Sequence, residues 1–242
     1  MNAHRNREGL YANGKSQEVT VMKSEALEAR VKALTDIVQK LEIRVQKTED
    51  IEAIKKLQNA YGYYLEHWQE EELIGLFSHN DNVAVEINDF GLFKGWEGIK
   101  SCYRFEDHYP NYPGLKKAPG EYLHILIPIA GIVDVDTTGN TAKGRWYGFF
   151  LGAQRREGAL RSLIGCGIWE NDFIKEDGIW KILKIFWNDI ISSPLDEGWV
   201  KTPDMLNPKH KDAPPPGPKT TFLHYPSGYI FPYHYKNPVT GK

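Results

Sequence analysis

The chain has 242 residues, 41% of them hydrophobic and 26% charged, with a formal net charge of −2. That length supports one well-buried core with extensions at both ends, and the near-neutral balance offers no electrostatic footprint for nucleic acid or an anionic membrane. Cys102 and Cys166 stand far apart in no metal-ligand spacing, so no disulfide framework is expected and a reducing, cytoplasmic setting is. The opening MNAHRNREGLYANGKSQ lacks an apolar signal core. The longest apolar run, 125–133, is broken by Pro128 and Gly131 and is too short to span a membrane.

Residues 1–20 are polar and read as disordered. Residues 21–50 carry a heptad seam: Leu27, Val31, Leu34, Val38, Leu41 and Val45 alternate spacings of four and three, with Val at a and Leu at d over about three repeats. Glu28, Arg30, Lys32, Asp36, Lys40, Glu42 and Arg44 occupy the other faces. Such a helix is marginal alone in water, so it serves either self-association or packing on its own domain. Thr48–Asp50 offers a helix restart or cap. Beyond it Ile51, Ile54, Leu57, Tyr61 and Leu65 recur at helical spacing. A second helix from Glu70 has an acidic first turn suited to the positive end of its dipole and buries Leu73, Leu76 and Phe77.

Residues 83–87 and 91–95 read as short strands, and Gly95 opens a helix to about Glu106. Long extended stretches follow at 122–136, 141–154, 160–174 and 180–192, joined by the hairpin-like DTTGN, REG and KEDG. Three helices and then a meander of long strands predict an α+β fold with a curved antiparallel sheet, spanning 51–193. From 194 to 242 the chain is a Pro/aromatic arm. Its KDAPPPGPK is stiff, extended chain, and its end is too aromatic for ordinary disorder. The arm is expected to pack on this subunit or a neighbour, either over a cavity mouth or on the outside of the sheet.

No nucleotide loop, zinc spacing, nucleophile elbow or Cys–His pairing is present, so neither a cofactor nor a metal is expected. What remains is general acid–base chemistry, which requires a His, a carboxylate and a Tyr converging in an apolar cavity. His124 stands in EYLHILIPIAG, a strand otherwise of Leu, Ile and Pro; it is either a satisfied core residue or the proton-transfer group. Tyr61 belongs to the apolar stripe of its helix, yet a buried hydroxyl needs a partner. Glu66 lies roughly 140° around the helix from Tyr61 and borders the same cavity only if the cavity wraps the helix end; otherwise it is a solvated Glu. His67 is a rim alternative. Asp189 interrupts the apolar ILKIFWNDIIS, and a buried Asp demands a partner. Arg104, His108, Trp146, Trp169 and Trp187 are candidate wall residues, though the ordinary reading of each is structural.

LEARVKALTDIVQKLE, DIEAIKKLQNAY with the following LE, His124, NTAKGRWY and DGIWKIL resemble the SnoaL-like branch of the nuclear transport factor 2-like superfamily. The similarity spans roughly 27–193. It is nearest bile-acid dehydratase-type members, and the aromatic tail looks like that of longer, lignin-dimer lyase-type ones. The resemblance implies a cone-shaped sheet on three helices, with Tyr61 and Glu66 reaching into the cone and His124 opening the strand before the GRWY segment. The family's acid is typically Asp where this chain has Glu66. Bile-acid dehydratases carry an Arg about where Asn188-Asp189 stands, which implies a different substrate.

Together these features predict a cofactor-independent lyase. It removes water or a small carbonyl fragment from a bulky hydroxylated aromatic or polycyclic substrate. His124 is the acid or base, Glu66 its partner, Tyr61 the donor to a developing oxyanion, and Asp189 an orienting or polarising group. The alternatives are an isomerase using the same base and a non-catalytic ligand-binding or scaffold protein. A homo-oligomer is expected, trimer before dimer, with a hydrophobic small molecule as the other partner.

Overall fold

The computed structural model describes residues 5–87, 91–108, 112–156, 158–202 and 224–242, the side chains of 5–23, 107, 108 and 156 excepted. The chain divides into two compact units, Met1–Glu49 and Asp50–Lys242. Helix α1 (Arg5–Glu66) runs through both sequence ranges without a break. Two expectations are thereby corrected. The helix takes in residues 5–20, because extending an existing helix adds a hydrogen bond per residue with no new nucleus. It does not restart at Thr48–Asp50, because both cap candidates are engaged otherwise. The Thr48 hydroxyl donates to the Arg44 carbonyl one turn back, at 3.0 Å. The buried Asp50 carboxylate accepts from Lys175 Nζ at 2.6 Å and Trp180 Nε1 at 2.9 Å.

In the second unit α2 (Glu70–Ile74) is followed by β1 (Ala84–Ile87), β2 (Gly91–Lys94), α3 (Gly95–Cys102) and α4 (Phe105–His108). The single helix expected over 95–106 is thus two short ones, parted at Tyr103 and Arg104. Next come β3 (Leu123–Val135), β4 (Thr141–Arg156), β5 (Ala159–Glu176), β6 (Ile179–Pro194) and α5 (Gly198–Lys201). The strands form one six-stranded, curved sheet in the order β2-β1-β6-β5-β4-β3. Every pairing is antiparallel except β1 with β6. The β5–β6 turn places Asp177 and Gly178 at φ 50° and 79°, the two positive values that a type I′ hairpin requires and that Asp-Gly supplies.

Register separates the sheet's two faces. Trp146, Trp169 and Trp187 are paired across three adjacent strands and share the inner face. α1 packs on that face: Tyr61 meets Trp169 edge-on at 6.4 Å, and the buried Gln58 accepts from Asn171 Nδ2 at 2.8 Å. Gly62 permits a close approach, since a Cβ there would lie 2.9 Å from the Leu126 carbonyl oxygen.

Small residues beneath aromatic rings shape the inner face. Trp187 lies over Gly148 and Gly167, and a Cβ at Gly148 would also stand 2.9 Å from Trp169 Cζ3. Gly148→Ala is therefore expected to cost about 1–3 kcal/mol, because a large ring on a packed sheet has to move. The check is thermal unfolding of the variant; an unchanged midpoint would show that the rings relax freely.

Candidate active site

The inner face ends in two groups of side chains joined by an aromatic floor. At one end is His124, half-buried on β3. Its Nδ1 pairs with the Tyr122 hydroxyl at 2.8 Å, and Phe150 meets its ring edge-on at 4.7 Å. Burial lowers the imidazole from 6.5 to about 4, so it is neutral at physiological pH. Tyr122 is itself fixed by Trp68, whose ring lies 5.1 Å from it and stacks on Phe105 at 5.7 Å.

Glu66 comes to the same end by helix geometry. Gly62 sits against Leu126, and Trp68 sits against Tyr122, so the end of α1 runs antiparallel to β3. Glu66 lies one turn beyond Gly62 on the same helix face. One turn and two strand residues each advance about 6 Å, which puts Glu66 at the level of His124. Its side chain is half-buried.

At the other end Tyr61 and Tyr103, both buried, share a hydrogen bond between hydroxyls at 3.1 Å. Burial, then the neighbouring Tyr61, holds the Tyr103 phenol well above its ordinary value, so Tyr103 stays protonated. Trp169 lies 4.7 Å from Trp187, and Trp187 Nε1 donates to Asp189 Oδ1 at 2.8 Å. Phe150 over Gly152 and Gly165, and Trp187 over Gly148 and Gly167, cover successive glycine rows. The floor is thus continuous from His124 to Asp189.

The expected orienting partners of His124 are corrected, and the structure places the other candidates. The partner of His124 Nδ1 is Tyr122, not Glu66 or Asp189. Asp189 is held by Trp187 and stands three strands from His124. Trp146 is a core residue, edge-on to Phe173 at 6.0 Å, with its ring over Gly131 and Gly144. Arg104 is exposed between α3 and α4. His108 closes α4, and its side chain lies outside the described residues. Sequence reasoning passed over Tyr122 and Phe150. Tyr122 precedes His124 by two, the strand period that puts both on one face, and this signal was available.

Residues 46–185 match the family model for the SnoaL-like domain. The chain belongs to that family, and its architecture is the nuclear transport factor 2-like fold. Among solved structures, a type 2 hexachlorocyclohexane dehydrochlorinase (LinA) is 18% identical, with 62% of this chain and 92% of that one covered at a TM-score of 0.51. A second LinA structure is 16% identical over 62% and 92%, also at 0.51. A scytalone dehydratase candidate from Novosphingobium aromaticivorans is 17% identical over 61% and 89%, at 0.49. The likeness to the two LinA structures carries the fold alone. Among curated protein sequences none matches the chain. No helix among the described residues is long and apolar enough to cross a membrane.

Proposed function

We propose that the protein is a cofactor-independent lyase that eliminates water or a small carbonyl fragment from a bulky hydroxylated aromatic or polycyclic substrate. The observation that carries this reading is geometric: His124 stands at the edge of an aromatic floor with its Nδ1 occupied by the Tyr122 hydroxyl. A tyrosine hydroxyl both donates and accepts. With Nδ1–H donating to Tyr122, Nε2 presents a lone pair to abstract a proton, and the Tyr122 oxygen then steadies the imidazolium. Phe150 and Trp187 provide flat apolar surface for a ring system. The hydrogen-bonded Tyr61–Tyr103 hydroxyls donate to oxygen charge that develops as the leaving group departs. Glu66 assists the proton at the His124 end, and Asp189 meets a substrate hydroxyl at the far end. The LinA neighbours are dehydrochlorinases, and dehydrochlorination is an elimination, which is compatible with this chemistry on this fold.

The test is incubation with a panel of hydroxylated steroids and phenylpropanoid dimers, read by mass for loss of water or formaldehyde. Turnover is expected to persist after exhaustive chelation, since no group of three potential ligands assembles among the described residues. Loss of activity in EDTA, restored by one divalent ion, would overturn the acid–base reading. Tight binding with no change in mass would favour the non-catalytic alternative.

A further inference from the structure

Helix α1 carries an apolar seam that its own chain leaves in water. Leu27, Val31, Leu34, Val38, Leu41 and Val45 are 48% to 63% exposed, and they fall on successive a and d positions of a heptad. Aliphatic side chains repeated along one stripe at this exposure are a surface for another molecule.

The flanks of the seam specify which molecule and in what direction. The e positions are Glu28, Thr35, Glu42 and Glu49; the g positions are Arg30, Ile37 and Arg44. One flank is acidic and the other basic, with no position of the wrong sign. In a parallel, in-register pair each g residue faces the e residue five positions further along the partner, so Arg44 meets Glu49, Arg30 meets Thr35 and Ile37 meets Glu42. No repulsive pair arises. In an antiparallel pair, e faces e and g faces g, which sets acid against acid and base against base. Among the described residues Arg30, Arg44 and Glu49 are engaged in no ion pair within the chain, so they remain available across such a seam.

We infer that residues 24–49 form a parallel, in-register coiled coil with the same segment of a second copy of this chain. Val at a with Leu at d is the composition of parallel coils of few strands. Ile37, apolar at a g position, widens the buried stripe. At three to four heptads the helix gains its stability from this pairing rather than from propensity.

The experiment uses the full chain. Val31→Cys and Val45→Cys, oxidised separately, should each yield a disulfide-linked dimer above the background of the unsubstituted protein, whose Cys102 is buried and whose Cys166 is half-buried. Only a parallel register allows both positions to pair with themselves. Arg44→Glu should weaken association about tenfold, through two lost attractions and two new repulsions per pair of helices. Adding Glu49→Arg to it should restore association. A mass of two or more chains by light scattering, together with both cross-links, supports the inference. A monomer at micromolar concentration, cross-linking at one position or neither, or a double reversal that fails to restore association would overturn it. Circular dichroism of each variant separates loss of pairing from loss of helix.

Discussion

His124→Ala is expected to lower turnover by about 10²–10⁴ while the protein stays folded. The position is half-buried rather than central to the core, so its truncation removes a proton-transfer group at modest structural cost. A folded variant with near-normal turnover would sink the assignment. A variant that fails to fold would make His124 a packing residue, and the pH profile of the intact enzyme then decides independently. The imidazole is neutral down to about pH 4 because burial disfavours its charged form. The base is lost only as pH falls through that value, so the acid limb of kcat/KM should lie near 4, where a solvated imidazole would place it near 6.5. Stability carries the same sign. Between about 6.5 and 4 the unfolded chain binds a proton at this site that the folded chain refuses, so stability falls as pH falls across that window. His124→Gln should flatten that part of the stability profile. Tyr122→Phe tests the positioning role: it should lower kcat and displace the acid limb, with little effect on KM.

The elements of this fold are legible in sequence because they are periodic. The long strands, the hairpin at Asp177-Gly178 and the inner stripe of α1 each follow from a local pattern of period two, a turn dipeptide, or spacings of three and four. Within the site, a lone His in an apolar strand marked His124, and Tyr61 was marked by its hydroxyl in an apolar stripe. What local pattern does not carry is which distant groups meet. Asp50 reads as a cap and is instead taken by Lys175 and Trp180, some 125 residues away along the chain. The glycines at 144, 148 and 152 recur every four residues on β4. Their purpose becomes visible only once register places the rings of Trp146, Trp187 and Phe150 over that face. The partner of Asp189 is a Trp two residues earlier, which the strand period permits and a search for His partners overlooks.

Removal of residues 224–242 is expected to destabilise the protein and leave substrate affinity intact. The arm lies on the outer face of the sheet, not over the inner face that carries His124. Arg145, the neighbour of inward-facing Trp146, points to that outer face. There its guanidinium pairs with Glu170 at 2.8 Å and donates to the carbonyls of Pro232 and Phe231 at 2.9 and 3.4 Å. The rings of Tyr233 and Phe231 lie 4.5 and 5.5 Å from it. His234 binds the other Glu170 oxygen, Phe231 packs on Phe186 at 5.2 Å, and the Tyr225 amide donates to the Ile190 carbonyl at 3.0 Å. Without the arm, Arg145 and Glu170 lose their cover and Phe186 is opened to water. The single substitution Arg145→Ala should cost about 3–5 kcal/mol, because it leaves one oxygen of the Glu170 carboxylate and two arm carbonyls without their donor in a largely desolvated place, with His234 still on the other oxygen. Both variants are checked by denaturant unfolding, with KM measured on the folded fraction. An unchanged KM in the truncated protein is the expected result. A KM raised tenfold or more would mean that the arm reaches the substrate, contrary to its position behind the sheet.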